Sequence, residues 1–443
     1  MTAGMLGIEF RRSLGPWLLL PMMGLVWYTT FRAGEYLPPG LTLWPNVSSG
    51  IRNSVVLLGP LLGGLAAWTA SRSGRRGMDD LLETTPRHPA ARELALFSGT
   101  VLWGGLAYGA AALAMVVMTS VRATWGSPDA LELLLGLLGL GASGALGYAA
   151  GYFVKSRFVV PLVPVVLFLM MQFVALADGP GLRHLSPVDW GTRGVFYGSR
   201  LAVAGLPQAV WLAGLAAVPL AAVALGGRRS AVTLAALAVS VAVAGAGAVL
   251  LLYANPSALR AGPPYEPVCA EQKISVCIHP AYQALLPEIA DAVEKLARPL
   301  EDIPGVPTGI EQGAPFGPQK ASRADGTAVF TIGNDTEGLP MVKREVAKSL
   351  VYDQTTDRLL MTEVQKIMAD WLLVQTGFPL RRAVAWHDDG TVATTQALGW
   401  SFSPEAEEVM ERFSALQPDA RRAWLTEHYV GLRAGELTLE DLP

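Results

Sequence analysis

Seven apolar runs separated by short polar segments fill the first 253 residues of the chain. A helix that crosses a bilayer needs about 20 residues, and the runs are close to or above this length. We predict membrane-spanning helices over residues 16–31, 51–70, 94–120, 130–153, 158–176, 206–225 and 231–253. Residues 1–15 combine apolar and charged faces, which is typical of a helix in the membrane interface; a plain juxtamembrane tail is the alternative. The first run has no small-residue cleavage site, so we expect it to be retained.

The pattern changes after Tyr253, where an extended linker rich in Pro and Gly (residues 254–268) leads into a globular domain (residues 269–443). Alternation of apolar and polar residues predicts strands at 274–278 and 327–332. Helical spacing of apolar residues predicts helices over 281–300, 339–352, 358–376, 404–414 and 418–432. We therefore predict an α+β domain in which helices dominate, after an all-α membrane bundle.

Composition supports this division into a membrane part and a soluble part. The chain is 51% apolar and only 16% charged, whereas soluble domains have about a quarter of charged residues. Up to Tyr253 there are 17 Lys and Arg against 10 Asp and Glu, a net charge of +7; the remainder has 17 against 27, a net of −10, and the two add to the total of −3. An acidic soluble half without a basic stripe argues against binding to nucleic acid.

Arginines are unevenly distributed between the predicted loops. With the N-terminus inside the cell, the short inner segments hold 11 Lys and Arg and the outer ones hold 6, Arg52 among the latter. This bias has the direction of the positive-inside rule. It predicts a cytoplasmic N-terminus and, after seven crossings of the plasma membrane, an extracytoplasmic C-terminal domain.

The polar segment of residues 71–93, here called the coupling segment, has the most specific pattern in the chain. It contains the run RRGMDDLLETTPR between two predicted spans, and a short helix over 78–84 would end before Pro86. This run resembles the coupling loop of ABC-2 type permeases, especially those of actinobacteria, in which the loop docks on a separate ATPase subunit. An ordinary basic loop that only fixes topology is the alternative. The resemblance implies contact with the ATPase through Arg72, Arg75, Arg76, Met78, Asp79, Leu82, Glu83, Thr84 and Pro86.

The resemblance also implies an architecture. Residues 1–230 would form a six-span permease domain with an N-terminal interfacial helix, and the seventh span (231–253) would be an addition that delivers the C-terminal domain to the outer face. A pair of re-entrant half-helices would precede the sixth span, where a simple extracellular loop is the alternative. The resemblance implies that this chain pairs with a second copy or with a related permease. The added C-terminal domain is expected to receive cargo, to gate the exit or to recruit an extracytoplasmic partner. ATP and Mg²⁺ would be bound by the partner ATPase, and this chain would carry no cofactor.

The C-terminal domain offers two further candidate features. Cys269 and Cys277, the only cysteines, are predicted to form a disulfide in an oxidising compartment; two separate buried thiols are the alternative. The run KREVAKSL has the outline of the zinc motif HExxH, with Arg344 and Lys348 at the positions of the two histidines and Glu345 between them. Protonated Arg and Lys have no lone pair for a metal, so we predict no metal site. Glu345 is expected to pair with Lys348 or Arg344 on an exposed charged helix face.

Two absences narrow the possible functions. The chain has no G-x-x-x-x-G-K-[ST] motif, so it is not expected to hydrolyse ATP by P-loop chemistry. We expect no carboxylate inside a span, which disfavours a proton-driven transporter. The leading hypothesis is the permease subunit of an ABC exporter. The alternatives are an ABC-type subunit that transmits force to an envelope partner without transport and, less favoured, a membrane-anchored degenerate zinc-peptidase-like protein.

Overall fold

The computed structural model describes residues 15–34, 41–75, 89–154, 156–177, 181–188, 201–227, 229–253, 266–313, 326–332, 339–353, 361–377, 382–386, 392–396, 400 and 402–443. The chain divides into two compact units: a helical unit, which includes the described helices up to residue 253, and a second unit, which includes the described residues from 266 onward. The protein is mostly helical, with a small mixed sheet in the second unit.

The described helices of the helical unit are long, apolar and close to the predicted positions, except for a ten-residue helix at residues 44–53, most of which was expected to be a loop. They are α1 (Gly15–Gly34), α2 (Trp44–Asn53), α3 (Val55–Arg75), α4 (Pro89–Arg122), α5 (Ala130–Phe153), α6 (Val159–Ala175), α7 (Leu201–Gly227) and α8 (Ala231–Tyr253). A short 3-10 turn, Leu182–Leu185, lies between α6 and α7. The second predicted span is interrupted at Ser54, which separates α2 from α3; the hydropathy pattern did not predict this break.

Within the described residues, five segments are long and apolar enough to cross a membrane: 44–72, 89–122, 130–153, 205–227 and 231–253. The helix α6 is apolar but has 17 residues, and α1 has 20 residues. The protein therefore has the helices of a membrane protein. Five of the seven predicted spans correspond to segments that are long and apolar enough to cross a membrane. The other two, predicted at 16–31 and 158–176, are helical but are not among these five segments.

Close contact with a neighbouring backbone explains two of the six glycines in α5. A Cβ atom on Gly147 would lie 2.1 Å from the carbonyl oxygen of Gly63, and one on Gly151 would lie 2.2 Å from that of Ala67. Because both contacts are with the backbone of α3, neither side can move away without separating the two helices. The sequence allowed the GxxxG glycines to serve either bundle packing or a dimer face. Both glycines pack against α3 of the same chain.

The second unit is built on a four-stranded sheet in the order β1-β2-β3-β4. The strands are β1 (Val268–Ala270), β2 (Ser275–Ile278), β3 (Gly309–Gly313) and β4 (Thr327–Thr331); β1 pairs antiparallel to β2, and the other pairs are parallel. The helices are α9 (Leu286–Ala297), α10 (Leu339–Val351), α11 (Glu363–Gln375), α12 (Pro404–Ala415) and α13 (Pro418–Ala434), and a separate hairpin joins β5 (Arg382–Trp386) to β6 (Val392–Gln396).

The two cysteines lie opposite each other on neighbouring strands. Cys269 of β1 pairs with Cys277 of β2 in the sheet register, and their sulfur atoms form a disulfide. The predicted disulfide is therefore present. It joins the three-residue edge strand β1 to the only strand that β1 contacts in this sheet.

Candidate functional site

The most elaborate polar site of the helical unit surrounds Arg52, at the end of α2. The guanidinium is 1% exposed and donates three hydrogen bonds: Nε to the carbonyl oxygen of Pro187 at 2.9 Å, Nη1 to Oε2 of Glu132 at 3.0 Å and Nη2 to Oε1 of Gln208 at 2.9 Å. We call this set the Arg52 network. It connects α2, α5, α7 and the segment 181–188, so one side chain joins four parts of the fold.

The segment 181–188 is held inside the bundle by the same network. Nε2 of Gln208 donates to the carbonyl oxygens of His184 at 2.7 Å and Ser186 at 2.8 Å. Val188 is fully buried, and His184 and Ser186 are each 2% exposed. This segment packs against helices and is not a loop in solvent. Residues 178–180 and 189–200, where the rest of the expected re-entrant pair would lie, are outside the described residues.

Two expectations from the sequence are wrong at this site. Arg52 was counted among the outer-loop arginines, but its side chain is buried between helices. No carboxylate was expected inside a span, yet Glu132 lies in α5 and Glu93 in α4, and both helices qualify as spans. A buried charge persists in an apolar setting only when it is paired, and Arg52 and Glu132 are 80 positions apart in the chain. In the sequence, the only indication of a buried ion pair was a single Arg at the start of an apolar run.

A second buried carboxylate lies at the opposite end of α5. The hydroxyl of Tyr148 donates a 2.6 Å hydrogen bond to Oε2 of Glu93, and Arg92 donates from Nε to Oε1 of Glu93 at 2.9 Å. Tyr148 is fully buried and Glu93 is 6% exposed. Glu132 and Tyr148 are 16 positions apart, which is about 24 Å along a helix. Thus α5 connects the Arg52 network to the residue with which the coupling segment ends.

Most residues predicted to contact an ATPase lie outside the described part of the chain. These are Arg76, Met78, Asp79, Leu82, Glu83, Thr84 and Pro86. Arg72 lies in the last turns of α3 and is half-buried, and Arg75 is the last residue of that helix. The coupling segment therefore begins in the last turns of α3 and ends in the first turns of α4. The proposed ATPase contact itself stays a prediction.

The degenerate zinc motif of the second unit lies on α10 and is half-buried. Oε2 of Glu345 accepts a salt bridge from Nζ of Lys348 at 3.4 Å and a hydrogen bond from the hydroxyl of Thr331 at 3.4 Å. The guanidinium of Arg344 lies 4.5 Å from the ring centre of Trp400, in cation–π geometry. The predicted pair with Lys348 is present, whereas the expected exposed face is wrong, because all three charged side chains are half-buried.

A buried acid lies near this motif. Asp370 of α11 is fully buried, and neither carboxylate oxygen has a hydrogen-bond partner among the described residues. Burial raises the pKa of Asp370 to about 6, and the charge of Arg344 opposes this rise. An unpaired buried carboxylate is costly in its ionised form. The charge of Asp370 is therefore expected to change near pH 6.

Within the described ranges of both units, no group of three or more His, Cys, Asp or Glu side chains could hold a metal ion. The second unit has a cavity of about 540 Å³ between α9 and the turn at residues 301–308, with Lys273, Arg298 and Asp302 among its lining residues. No protein-family model, curated protein or solved structure matches this chain.

Proposed function

We propose that this chain is the membrane subunit of an ABC-2 type exporter and works with a separate ATPase subunit. In this proposal the coupling segment docks on the ATPase from the cytoplasmic side, and the C-terminal domain lies outside the cell. Two copies, or one copy and a related permease, bind two ATPase subunits. ATP and Mg²⁺ are bound by the ATPase subunits, and this chain transmits their movement to the bundle.

The observation that carries this proposal is the connection between the coupling segment and the far end of the bundle. The coupling segment ends at Glu93, which is anchored to Tyr148 on α5. At its other end α5 holds Glu132, the partner of Arg52. On either side of Tyr148, Gly147 and Gly151 hold α5 against the backbone of α3. A displacement of the coupling segment would therefore move α3, α4 and α5 together and reach the Arg52 network.

The Arg52 network also has the contacts expected of a gate, at the end of the bundle away from the coupling segment. The segment 181–188 is held there by hydrogen bonds from Arg52 and Gln208 to three backbone carbonyls. Moving α5 would pull Glu132 away from Arg52 and loosen this segment. Loss of one partner of a buried ion pair is unfavourable by several kcal/mol, so the closed arrangement would be restored when the ATPase resets. In this proposal the contact between Arg52 and Glu132 breaks and forms again once in each ATPase cycle.

A second candidate function, force transmission without transport, is favoured by the contact between α7 and α8. A Cβ atom on Gly247 would lie 2.4 Å from the backbone nitrogen of Trp211, and one on Gly214 would lie 2.5 Å from that of Ala244. Helices in backbone contact move as a pair. Movement of α7 would therefore reach α8, which leads to the C-terminal domain, and that domain would regulate an envelope partner.

The test begins with the intact protein purified from its own membranes, with its associated proteins identified. The proposal expects an ATPase subunit at a ratio near one to one. Charge reversal at Arg75 and Arg76 should reduce its recovery at least fivefold, whereas Arg122→Glu, at the opposite end of α4, should not. Normal ATPase recovery with the double reversal would show that the contact is wrong.

Flux measurements then separate the two functions. The purified complex is placed in vesicles, and ATP-dependent movement of candidate lipid and drug cargoes is measured beside hydrogen exchange of the C-terminal domain. Flux supports the exporter. ATP-dependent changes of exchange without flux support force transmission.

A further inference from the structure

An apolar groove of about 580 Å³ opens between α1, α3 and α6. Its lining includes Leu18 and Leu25 of α1, Leu61 and Trp68 of α3, and Val160 and Pro164 of α6. Among the described residues, no charged or hydroxyl side chain lines it. Leu61 is 54% exposed, so part of the lining remains open to the surroundings of the helix bundle. In a membrane those surroundings are lipid acyl chains.

The floor of the groove is a tight contact. A Cβ atom on Gly64 would lie 2.6 Å from Cγ of Pro164, and one on Gly63 would lie 2.4 Å from a methyl group of Leu167. Because α3 and α6 touch here, the space above them is a groove with a closed base. It is not a gap through the bundle.

The order of the lining residues gives the groove a direction. The helices α3 and α6 are antiparallel, since Gly64 meets Pro164 while the earlier Gly59 meets the later Met171. Trp68 and Val160 therefore lie toward one end, near the coupling segment, and Leu61 lies toward the middle of the bundle. The lining positions of α1 run from Leu18 to Leu25, which is seven steps along the helix, or about 10 Å. This length accommodates part of an acyl chain and is much shorter than a helix that crosses the roughly 30 Å hydrocarbon layer.

Two arginines lie beyond the Trp68 end. Arg72 is one helical turn after Trp68 on α3, so it shares the same helix face. Arg157 is three residues before Val160, in the turn that precedes α6, and its side chain is exposed. An apolar groove with two guanidinium groups beyond one end is complementary to an anionic phospholipid. An acyl chain would lie in the groove, and the phosphate would lie at the cations.

We infer that this groove binds one acyl chain of an anionic phospholipid whose phosphate is held by Arg72 and Arg157. The inference requires that the helical unit lies in a membrane, and it is independent of any ATPase or transport. A second copy of the chain is the competing occupant. The short length of the groove and the cations at its end favour the lipid.

The test uses the intact purified chain in phosphatidylcholine nanodiscs that contain a phosphatidylglycerol with a diazirine in one acyl chain. After irradiation, labelled peptides are identified by mass spectrometry. We expect labels on α1 between Leu18 and Leu25 and on α3 between Leu61 and Trp68. Unlabelled phosphatidylglycerol should compete at least fivefold better than phosphatidylcholine.

Two variants with matched controls locate the site. Leu61→Trp fills the groove and should reduce this labelling at least fivefold, whereas Leu113→Trp, an exposed position on α4 that does not line the groove, should leave it unchanged. The double variant Arg72→Gln, Arg157→Gln should remove the preference for phosphatidylglycerol, and Arg122→Gln should not. Thermal unfolding of each variant verifies that it folds.

Two outcomes would overturn the inference. Labels spread evenly over the exposed faces of α4 and α6 would show lipid that surrounds the protein without a specific site. Cross-links between groove residues of two chains, formed with a short bifunctional reagent at cysteines introduced at positions 61 and 65, would show that a second copy fills the groove. Neither outcome depends on ATP or on an ATPase, so failure here is distinct from failure of the exporter proposal.

Discussion

The hydroxyl of Tyr148 donates a 2.6 Å hydrogen bond to Oε2 of Glu93 and so joins α5 to the first turns of α4. Tyr148→Phe removes this hydrogen bond and nearly nothing else. Since hydrogen bonds to charged groups contribute about 1.5–3 kcal/mol, we expect a modest fall in thermal stability. If the exporter proposal holds, ATPase recovery is unchanged while ATP-driven flux or hydrogen-exchange change falls severalfold. If the variant folds and its ATP-driven flux and hydrogen exchange are unchanged, this hydrogen bond has no role in the mechanism.

The Arg52 network gives a double-mutant prediction. Arg52→Met leaves Glu132 buried without its cation, and breaking such a pair costs about 3–5 kcal/mol. Replacing both partners, as Arg52→Met with Glu132→Leu, should recover most of that loss. Unfolding by denaturant in detergent micelles provides the measurement, with Arg122→Met as an exposed control. A double variant no more stable than Arg52→Met would show that Pro187 and Gln208 dominate the energetics.

The glycines of α5 allow a comparison within one helix. Gly147→Ala places a methyl group against the backbone of Gly63, and Gly151→Ala places one against Ala67. We expect each to destabilise the bundle by about 1–3 kcal/mol. Among the described residues, a Cβ atom on Gly141 meets nothing within 4 Å. Gly141→Ala should therefore be neutral or stabilising by up to about 1 kcal/mol, because Ala favours helix. Equal effects at all three positions in unfolding titrations would contradict the packing described.

Reduction of the disulfide should act locally. Cys269 and Cys277 close a short loop, for which loop-closure entropy gives about 2.5 kcal/mol. In the variant Cys269→Ser, Cys277→Ser we expect faster amide exchange at residues 268–270, because β1 pairs only with β2 in this sheet. Exchange in α13 should change little. Equal acceleration throughout the second unit would show instead that the disulfide supports the whole fold.

Asp370 predicts a dependence of stability on pH. Its pKa is raised from 3.8 to about 6, so between pH 4 and 6 the folded state holds a proton that the unfolded state has lost. Stability contributed by this group is therefore lost as pH rises through that range, by about 2–3 kcal/mol. Asp370→Asn should remove the loss and be more stable than wild type at pH 7.5, with little difference at pH 4.

Thermal unfolding of the intact chain between pH 4 and 8 provides the comparison for Asp370. The nearby charge of Arg344, which opposes the rise of the pKa, makes the gain smaller than burial alone would give. Glu405→Gln, an exposed position at the start of α12, serves as the control for loss of a carboxylate. A wild-type profile parallel to that of Asp370→Asn would contradict the raised pKa.

The sequence predicted the long elements well and the long-range polar contacts poorly. The bounds of α5 and α8 match the hydropathy pattern at both ends, because a continuous apolar run has clear limits. The strand β3 was missed because its five residues include Gly309, Gly313 and two polar residues. The break at Ser54 has no Pro or Gly beside it and gave no signal.

The Arg52 network was missed for a different reason. Its members come from positions 52, 132, 187 and 208, and a single sequence contains no information on which distant residues meet. The disulfide was predictable because only two cysteines exist. The GxxxG spacing showed that a close contact forms, but not whether its partner is the same chain.

The contact between Gly63 and Gly147 also constrains how the protein is made. Residues leave the ribosome in order, so α3 enters the lipid before its partner α5 has been synthesised, and α4 must be inserted in between. During this interval the surface of α3 that later touches α5 is covered only by lipid or by a chaperone. Helix insertion before helix association is the general order for membrane bundles. A chain arrested after α4 should therefore be a preferred substrate of membrane proteases, and synthesis of α5 should end that susceptibility.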